Sequence, residues 1–192
     1  DVRRGDVFFV DPYKIIIKEE LRGRRKAPNQ QEIIDLAESM FTNGQRQPCE
    51  VRKVQDNQIQ LNLGFTRGAA ARLIREGFDF KNPANGEVIR IHNPEFKLKV
   101  MISDANDDTA LLNNIIENAH RNNTTPIDDA FNHQRLRDQL GYTDAEITRL
   151  YRYKDAGKVG KFRKLLGLPT KVQDMIDSEM LSVGGALALV EL

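Results

Sequence analysis

The chain has 192 residues, of which 40% are hydrophobic and 30% are charged, and its formal net charge is +1. This length suits one or two modest domains with a packed core, and the single cysteine, Cys49, excludes an internal disulfide and fits a reducing cytoplasm. No apolar run approaches the roughly 18 residues of a membrane span, and no signal-peptide pattern opens the chain, so neither a membrane span nor a signal peptide is expected.

The first half of the chain predicts alternating strands and helices. Residues 7–17 hold two apolar runs around Asp11-Pro12, which indicate a strand and a turn. The apolar spacing of residues 31–41 predicts a helix that ends at Asn43-Gly44. The pattern then predicts strands over residues 49–54 and 58–63 and an alanine-rich helix over residues 68–75. A loop or small hairpin over residues 77–95 and a strand over residues 96–102 follow.

The junction Gly64-Phe65-Thr66-Arg67, which leads from a predicted strand into a helix, is a candidate phosphate site. A helix N-terminus presents unpaired N–H groups and the positive end of the helix dipole, and both attract anions. Gly64 lets the backbone approach a ligand closely, Thr66 can cap or donate, and Arg67 supplies charge. An ordinary capped turn is the alternative, because many strand–helix junctions carry Gly and Thr.

The end of the next predicted helix is a candidate site for a magnesium nucleotide. Glu117, Asn118 and Arg121 point away from an apolar helix face formed by Leu111, Leu112, Ile115, Ile116 and Ala119. Acid and amide oxygens suit a magnesium ion, and a guanidinium suits phosphate. A solvated helix end with a surface ion pair is the alternative.

From residue 123 onward the pattern is helical. Thr125-Pro126 predicts the start of a helix that ends at Gly141, and Thr143 with Glu146 predicts a capping box at the next start. Three further helices are predicted over residues 158–166, 170–178 and 182–192. We place a domain boundary near Asn122, which divides the chain into residues 1–122 and 123–192. Because the chain stops inside an apolar-periodic stretch, we expect it to be a fragment.

The small net charge hides a segregated distribution. Residues 152–171 carry seven basic side chains against one acid, whereas residues 102–147 carry nine acids against three arginines. A short helix, a turn and this cationic helix form a candidate helix-turn-helix, which favours a polyanion partner. The candidate DNA contacts are Lys154, Lys158, Lys161, Arg163 and Lys164. A cationic helix that only forms a solvated surface is the alternative.

Six segments, taken in order, carry a family resemblance. They are residues 43–52 with the core Gln47-Pro48, residues 64–67, the Glu-Asn-Ala-His-Arg of 117–121, the Pro-Ile-Asp-Asp-Ala of 126–130, the Leu-Leu-Gly-Leu-Pro of 165–169, and residues 181–189. In this order they resemble the boxes of the ParB family of DNA-partition proteins, which includes KorB-like and nucleoid-occlusion relatives. The resemblance covers nearly all of the chain.

The resemblance implies an α+β fold. An N-terminal ParB/sulfiredoxin-like α/β nucleotide-binding domain would precede an all-α helix-turn-helix DNA-binding domain. It also implies a homodimeric clamp that binds CTP with Mg, closes through its N-terminal domains, loads at a specific site on double-stranded DNA and slides from it. A ParA-type ATPase would be a further partner, and the protein would lie in the cytoplasm on nucleoid, plasmid or phage DNA. By this resemblance, we expect these 192 residues not to include the family's C-terminal dimerisation domain.

The resemblance also implies roles for individual residues. Gln47 would face the base or ribose, and Gly64, Thr66 and Arg67 would cradle phosphates. Glu117 and Asn118 would hold the metal, Arg121 would meet the triphosphate, and the helix from Lys154 to Lys164 would read DNA.

Some positions depart from the family pattern. The resemblance leaves open a slow hydrolysis of CTP to CDP and phosphate. Phe65 replaces an acid and Thr66 replaces the first of two arginines, which argues against this hydrolysis and against tight triphosphate binding. Gly185 stands where the last box usually has His, and the helix-turn-helix gains about one residue near Tyr151 and Tyr153. The long 77–95 segment indicates a plasmid- or phage-borne relative.

Two other functions stay open. The first is a helix-turn-helix regulator whose degenerate nucleotide site binds no CTP. The second is a ParB-like nuclease, although His92, His120 and His133 are scattered and form no acidic or histidine cluster. A sulfiredoxin activity is not expected, because the loop at 64–68 has no cysteine and Cys49 is interpreted as a small buried hydrophobic residue.

Overall fold

The computed structural model describes residues 5–120 and 124–190. By its contacts the chain forms two compact units. One comprises residues 1–21 and 26–110, and the other comprises residues 22–25 and 111–192. The predicted division at residue 122 stays a prediction. Within the described residues, no helix combines the length and the apolar character that crossing a bilayer requires.

The first unit is built on a five-stranded mixed sheet. Its strands are β1 (Val7–Val10), β2 (Ile15–Ile17), β3 (Cys49–Lys53), β4 (Ile59–Leu63) and β7 (Leu98–Ile102), in the spatial order β1-β7-β3-β4-β2. β3 is antiparallel to β4 and parallel to β7, with Val51 opposite Leu61 and Cys49 opposite Val100. β2 lies parallel to β4, a pairing that the predicted strand and turn of residues 7–17 did not include.

The 77–95 segment contains a two-stranded antiparallel hairpin of β5 (Phe78–Lys81) and β6 (Val88–Ile91), so the predicted small hairpin is confirmed. Phe78 and Ile91 are buried at its base, whereas Val88 is exposed. An ion pair between Asp79 and Arg90 links the two strands.

One helix packs on the five-stranded sheet, and a second helix packs against the first. Helix α1 (Gln30–Asn43) begins at Asn29, whose side chain accepts from Glu32 N at 2.7 Å. Helix α2 (Phe65–Glu76) packs against α1, β3 and β7. Small residues on α2 allow the two helices to pack closely. The buried residues of this core are Ala37, Met40, Ala70, Ala71 and Ile74 from the helices and Val51, Leu61, Leu98 and Val100 from the sheet.

The second unit is helical. Helix α3 (Asp107–Ala119) contains the division between the two units, and it is followed by α4 (Pro126–Leu140), α5 (Asp144–Leu150), α6 (Lys158–Lys164), α7 (Thr170–Asp177) and α8 (Val183–Val190). Its apolar core consists of Ile127, Ala130, Phe162, Leu165, Ile176 and Ala186.

Local signals placed the helix starts of this unit correctly. Thr125 accepts from Asp128 N at 3.1 Å, and Thr143 forms the predicted capping box with Glu146. The basic helix is shorter than predicted, because its last turn tightens into a 3-10 turn over Leu165–Gly167. Such tightening is common at helix C-termini.

Candidate functional site

Gly64 forms the turn between β4 and α2, and its conformation requires glycine on two grounds. Its φ of 100° and ψ of 33° lie in the left-handed region. A Cβ at this position would lie 2.6 Å from Cys49 Sγ. The backbone is therefore bare where the first-turn N–H groups of α2 begin, and α2 has no acid in its first turn to compete with an anion.

Cys49 lies beneath this turn as a fully buried thiol. Its Sγ donates a weak hydrogen bond to Gly64 O at 3.6 Å. Burial raises the pKa of the Cys49 thiol to about 11, so it stays protonated at neutral pH. The interpretation of Cys49 as a small buried hydrophobic residue is confirmed, and the thiol is poorly suited to act as a nucleophile.

Arg67 ties the turn to the loop before β3. Its Nη1 donates to the carbonyl oxygens of Gln47 at 2.9 Å and Pro48 at 2.7 Å. The structure thus brings together three predicted residues, Gln47, Gly64 and Arg67, while Thr66 lies half-buried as the second residue of α2. Their roles toward a nucleotide stay predictions.

Gln45 is a residue of this site that the sequence patterns did not identify. Its Nε2 donates to Lys99 O and to Gln47 O, both at 2.8 Å, and its Oε1 accepts from Lys99 N at 2.8 Å. One amide therefore pairs with the backbone of β7 as a strand would and also fixes the Gln47-Pro48 loop. A lone glutamine after a helix-ending glycine carries no local signal for such a long-range pairing.

Glu117 and Asn118 lie in the last turn of α3, in the second unit. Asn118 is buried, and its Nδ2 donates to Asn114 O at 2.8 Å. The side-chain oxygen of Asn118 takes no part in this bond. Glu117 is half-buried. Their carboxylate and amide oxygens are suitable ligands for magnesium. Arg121 lies outside the described residues, and the joint site of both units stays a prediction.

The basic segment Arg22–Arg25 packs on the helical unit to which it belongs. A Cβ on Gly23 would lie 2.5 Å from Asn114 O, so the segment runs closely along α3. Hydrogen bonds hold the segment in place. They run from Asn132 Nδ2 to Gly23 O (2.7 Å), from Arg25 N to Asp128 Oδ1 (3.1 Å), from Arg25 Nη2 to Asp177 Oδ2 (2.8 Å), and from Arg135 Nη1 to Arg22 O. These bonds explain why polar side chains of α4 are buried.

The predicted DNA-contacting cations fall into two groups. Lys154, Lys161 and Lys164 are exposed, and Lys161 Nζ lies 3.0 Å from Asp155 Oδ2. Lys158 and Arg163 are half-buried. Lys158 Nζ lies 4.1 Å from the centroid of the Tyr153 ring, and Arg163 Nη2 lies 2.8 Å from Asp144 Oδ2.

A buried polar cluster supports the turn between α5 and α6. The Tyr153 hydroxyl lies 3.2 Å from His133 Nε2, and Tyr151 packs edge-on against the His133 ring at 4.5 Å. Burial lowers the pKa of His133 to about 3, and nearby Arg163 and Lys158 act in the same direction. The imidazole is therefore neutral at physiological pH and forms part of the buried support of this turn.

Among the described residues, no group of three or more His, Cys, Asp or Glu side chains is arranged to hold a metal ion. The amide of Asn118 does not belong to these four residue types, so this finding does not bear on a magnesium site completed by nucleotide oxygens.

The comparison with family models found no match. Among curated proteins, the chain is 29% identical over 181 residues to the probable chromosome-partitioning protein ParB of Neisseria meningitidis, which covers 93% of this chain and 56% of that protein. It is 26% identical over 168 residues to the protein of the same description from Xylella fastidiosa, covering 88% and 48%. The chain spans about half the length of the curated relatives it matches.

Two solved structures share the fold. One is the C-terminally truncated chromosome-partitioning protein ParB from Caulobacter crescentus complexed to the centromeric parS site, with a TM-score of 0.60 and 22% identity over 95% of this chain and 84% of that chain. The other is a Pnob8-like ParB-N domain, with a TM-score of 0.56 and 14% identity over 95% and 78%. The predicted α+β fold class is confirmed.

Proposed function

Because the chain belongs to the ParB family, we propose that it is a DNA-binding partition protein that binds CTP with magnesium and acts as a sliding clamp. We expect a homodimer that closes through its N-terminal domains, with a ParA-type ATPase as a further partner. Its place would be the cytoplasm, on nucleoid, plasmid or phage DNA.

The observation that carries the nucleotide part is the turn at Gly64. This left-handed glycine leads into the first turn of α2, which carries no acid, so the N–H groups of that turn suit an anion such as a phosphate. Arg67 holds the Gln47-Pro48 loop beside this turn, which would place Gln47 to face the base or ribose. Bound CTP would favour the closed clamp over the open one.

The remaining roles follow the family boxes. Thr66 would donate to a phosphate, Glu117 and Asn118 would offer oxygen ligands to magnesium, and Arg121 would meet the triphosphate. Phe65 is buried and carries no carboxylate, so any hydrolysis of CTP would rely on other groups.

The DNA part is supported by the exposed lysines around α6. Lys154, Lys161 and Lys164 give the helix-turn-helix candidate a cationic surface. The structure from Caulobacter crescentus with a similar fold is complexed to a parS site, and by analogy the loading site here would be a specific duplex.

A DNA-binding regulator with a silent nucleotide fold is the second candidate. It is favoured by Arg67, whose guanidinium donates to two backbone carbonyls, and by Thr66, which replaces the first of the family's two arginines. This candidate predicts specific DNA binding that CTP does not change.

Calorimetric titration of CTP with magnesium, with ATP and GTP as competitors for specificity, separates the two candidates. We expect heat of binding with CTP alone, and we expect Arg121→Ala to abolish it. Arg90→Ala, a matched change on the β5–β6 hairpin, should preserve it. No heat with any nucleotide from a folded sample would remove the nucleotide part. Selection from a randomised duplex pool tests the DNA part and supplies the binding sequence.

A further inference from the structure

Gly160 lies within α6, and neither its backbone conformation nor a contact with the described residues requires glycine there. Its φ is not positive, since it is absent from the glycines with that conformation. An ideal Cβ on Gly160 would have no neighbouring heavy atom of the described residues within 4 Å, apart from the helix's own nearby backbone. Glycine is the least favourable helix residue after proline. The fold would therefore accept alanine at this position and be stabilised by it.

The position of Gly160 indicates what the bare backbone faces. Residues 157, 160, 161 and 164 share one side of α6 by helical spacing, while Val159, Phe162 and Leu165 are buried on the other side. Gly160 is thus followed on the open face by two exposed lysines, Lys161 and Lys164. Gly157 differs from it, because a Cβ there would contact Asp155 Oδ1 at 3.2 Å.

We propose that Gly160 is a DNA-contact position, at which the duplex abuts the bare backbone of α6 and which sets how deeply this helix enters the groove. The flanking lysines favour a polyanion, and glycine is the residue that permits a backbone to approach a ligand closely. The inference rests on the proposed DNA-binding function. It adds a steric determinant of DNA recognition to the cationic contacts.

The test compares Gly160→Ala with Gly184→Ala, in each case by thermal melting and by fluorescence anisotropy. Gly184 is a matched control, because it is an exposed helical glycine in α8 whose Cβ would also meet nothing within 4 Å. The probes are the duplex selected by the wild-type protein from a randomised pool and a scrambled duplex of equal composition.

We expect Gly160→Ala to raise the melting temperature by about 2–4 °C while weakening binding to the selected duplex at least about fivefold. Gly160→Gln should weaken binding further, and Gly184→Ala should leave it unchanged. Equal affinity of Gly160→Ala and the wild type for the selected duplex would overturn the inference alone. A wild-type protein that binds no duplex would overturn the proposed DNA function and this inference with it.

Discussion

The hydroxyl of Tyr153 donates a 3.3 Å hydrogen bond to Asp129 Oδ2 and so joins the turn before α6 to helix α4. Burial raises the pKa of Asp129 to about 6, while hydrogen bonds from Thr124 and Tyr153 and the charge of Lys158 oppose the rise. A buried carboxylate therefore supports the turn that presents the candidate DNA-binding helix, and its ionisation links the stability of this turn to pH.

Ionisation of Asp129 should lower the free energy of unfolding as the pH rises. Its folded pKa of about 6 exceeds the ordinary pKa of an aspartate, 3.8, so its stabilising contribution is complete below about pH 3.8 and is lost as the pH rises through about 6. The loss amounts to about 3 kcal/mol across this window. Asp129→Asn removes the titration, so its free energy of unfolding relative to wild type should increase between about pH 4 and about pH 7.5 in urea denaturation.

His133 changes stability in the opposite direction, because its folded pKa of about 3 lies below the ordinary histidine pKa of 6.5 and its contribution is lost as the pH falls. Both proteins in the comparison retain His133, so its contribution cancels in the difference. A difference between wild type and Asp129→Asn that stays constant with pH would contradict the assignment of a raised pKa to Asp129.

Gly64→Ala should destabilise the first unit through both conformation and collision. A left-handed alanine costs about 1–2 kcal/mol, and contact with Cys49 Sγ should add about 1–3 kcal/mol. Gly141→Ala is the matched control, since Gly141 is also left-handed and its Cβ would meet nothing within 4 Å. Urea denaturation measures both variants. Equal losses would exclude the collision, whereas adding Cys49→Ala to Gly64→Ala should recover part of the stability.

Gln45→Met should loosen the Gln47-Pro48 loop. The change keeps the side-chain length but leaves Lys99 N and Lys99 O without their amide partner, which should cost about 1–3 kcal/mol in urea denaturation. If the proposed nucleotide site is correct, calorimetry should also show weaker CTP binding. Gln31→Met, at an exposed residue of α1, should leave both measurements near wild type. Unchanged stability of Gln45→Met would contradict the pairing with β7.

The two groups of cations around α6 should respond differently to substitution. Lys154→Ala and Lys164→Ala should each flatten the slope of log affinity against log salt by about 0.9 if the residue meets a phosphate. Arg163→Ala should instead lower the melting temperature, because Arg163 is paired with Asp144 and half-buried. Anisotropy titrations over a range of salt concentrations, together with melting curves, separate the two effects. An unchanged melting temperature for Arg163→Ala would contradict its structural role.

Local chemistry explains which parts of the fold were predictable. The caps at Thr125 and Thr143 and the alternation in β4 depend on residues within a few positions of each other, and these predictions are confirmed. The parallel pairing of β2 with β4 and the docking of Gly23 on α3 depend on contacts distant in sequence, for which periodicity carries no signal.

The candidate site likewise contains residues that local sequence predicts and residues that it does not. Gly64 and Arg67 follow from the strand–helix junction, and their mutual proximity is visible in the structure. The contribution of Gln45 could not be predicted, because its partner Lys99 lies 54 positions along the chain. The support that Tyr153 gives to the turn before α6 required knowing that Asp129 and His133 face the same interior.

The placement of Arg22–Arg25 in the helical unit has a consequence for how the chain can be cut. A fragment that begins at residue 111 would leave the amide of Asn132 and the carboxylates of Asp128 and Asp177 without the partners this segment supplies. Proteolytic nicking near residue 22 should therefore loosen helices more than 100 positions downstream. Adding a synthetic peptide that carries this segment should restore the truncated fragment in trans.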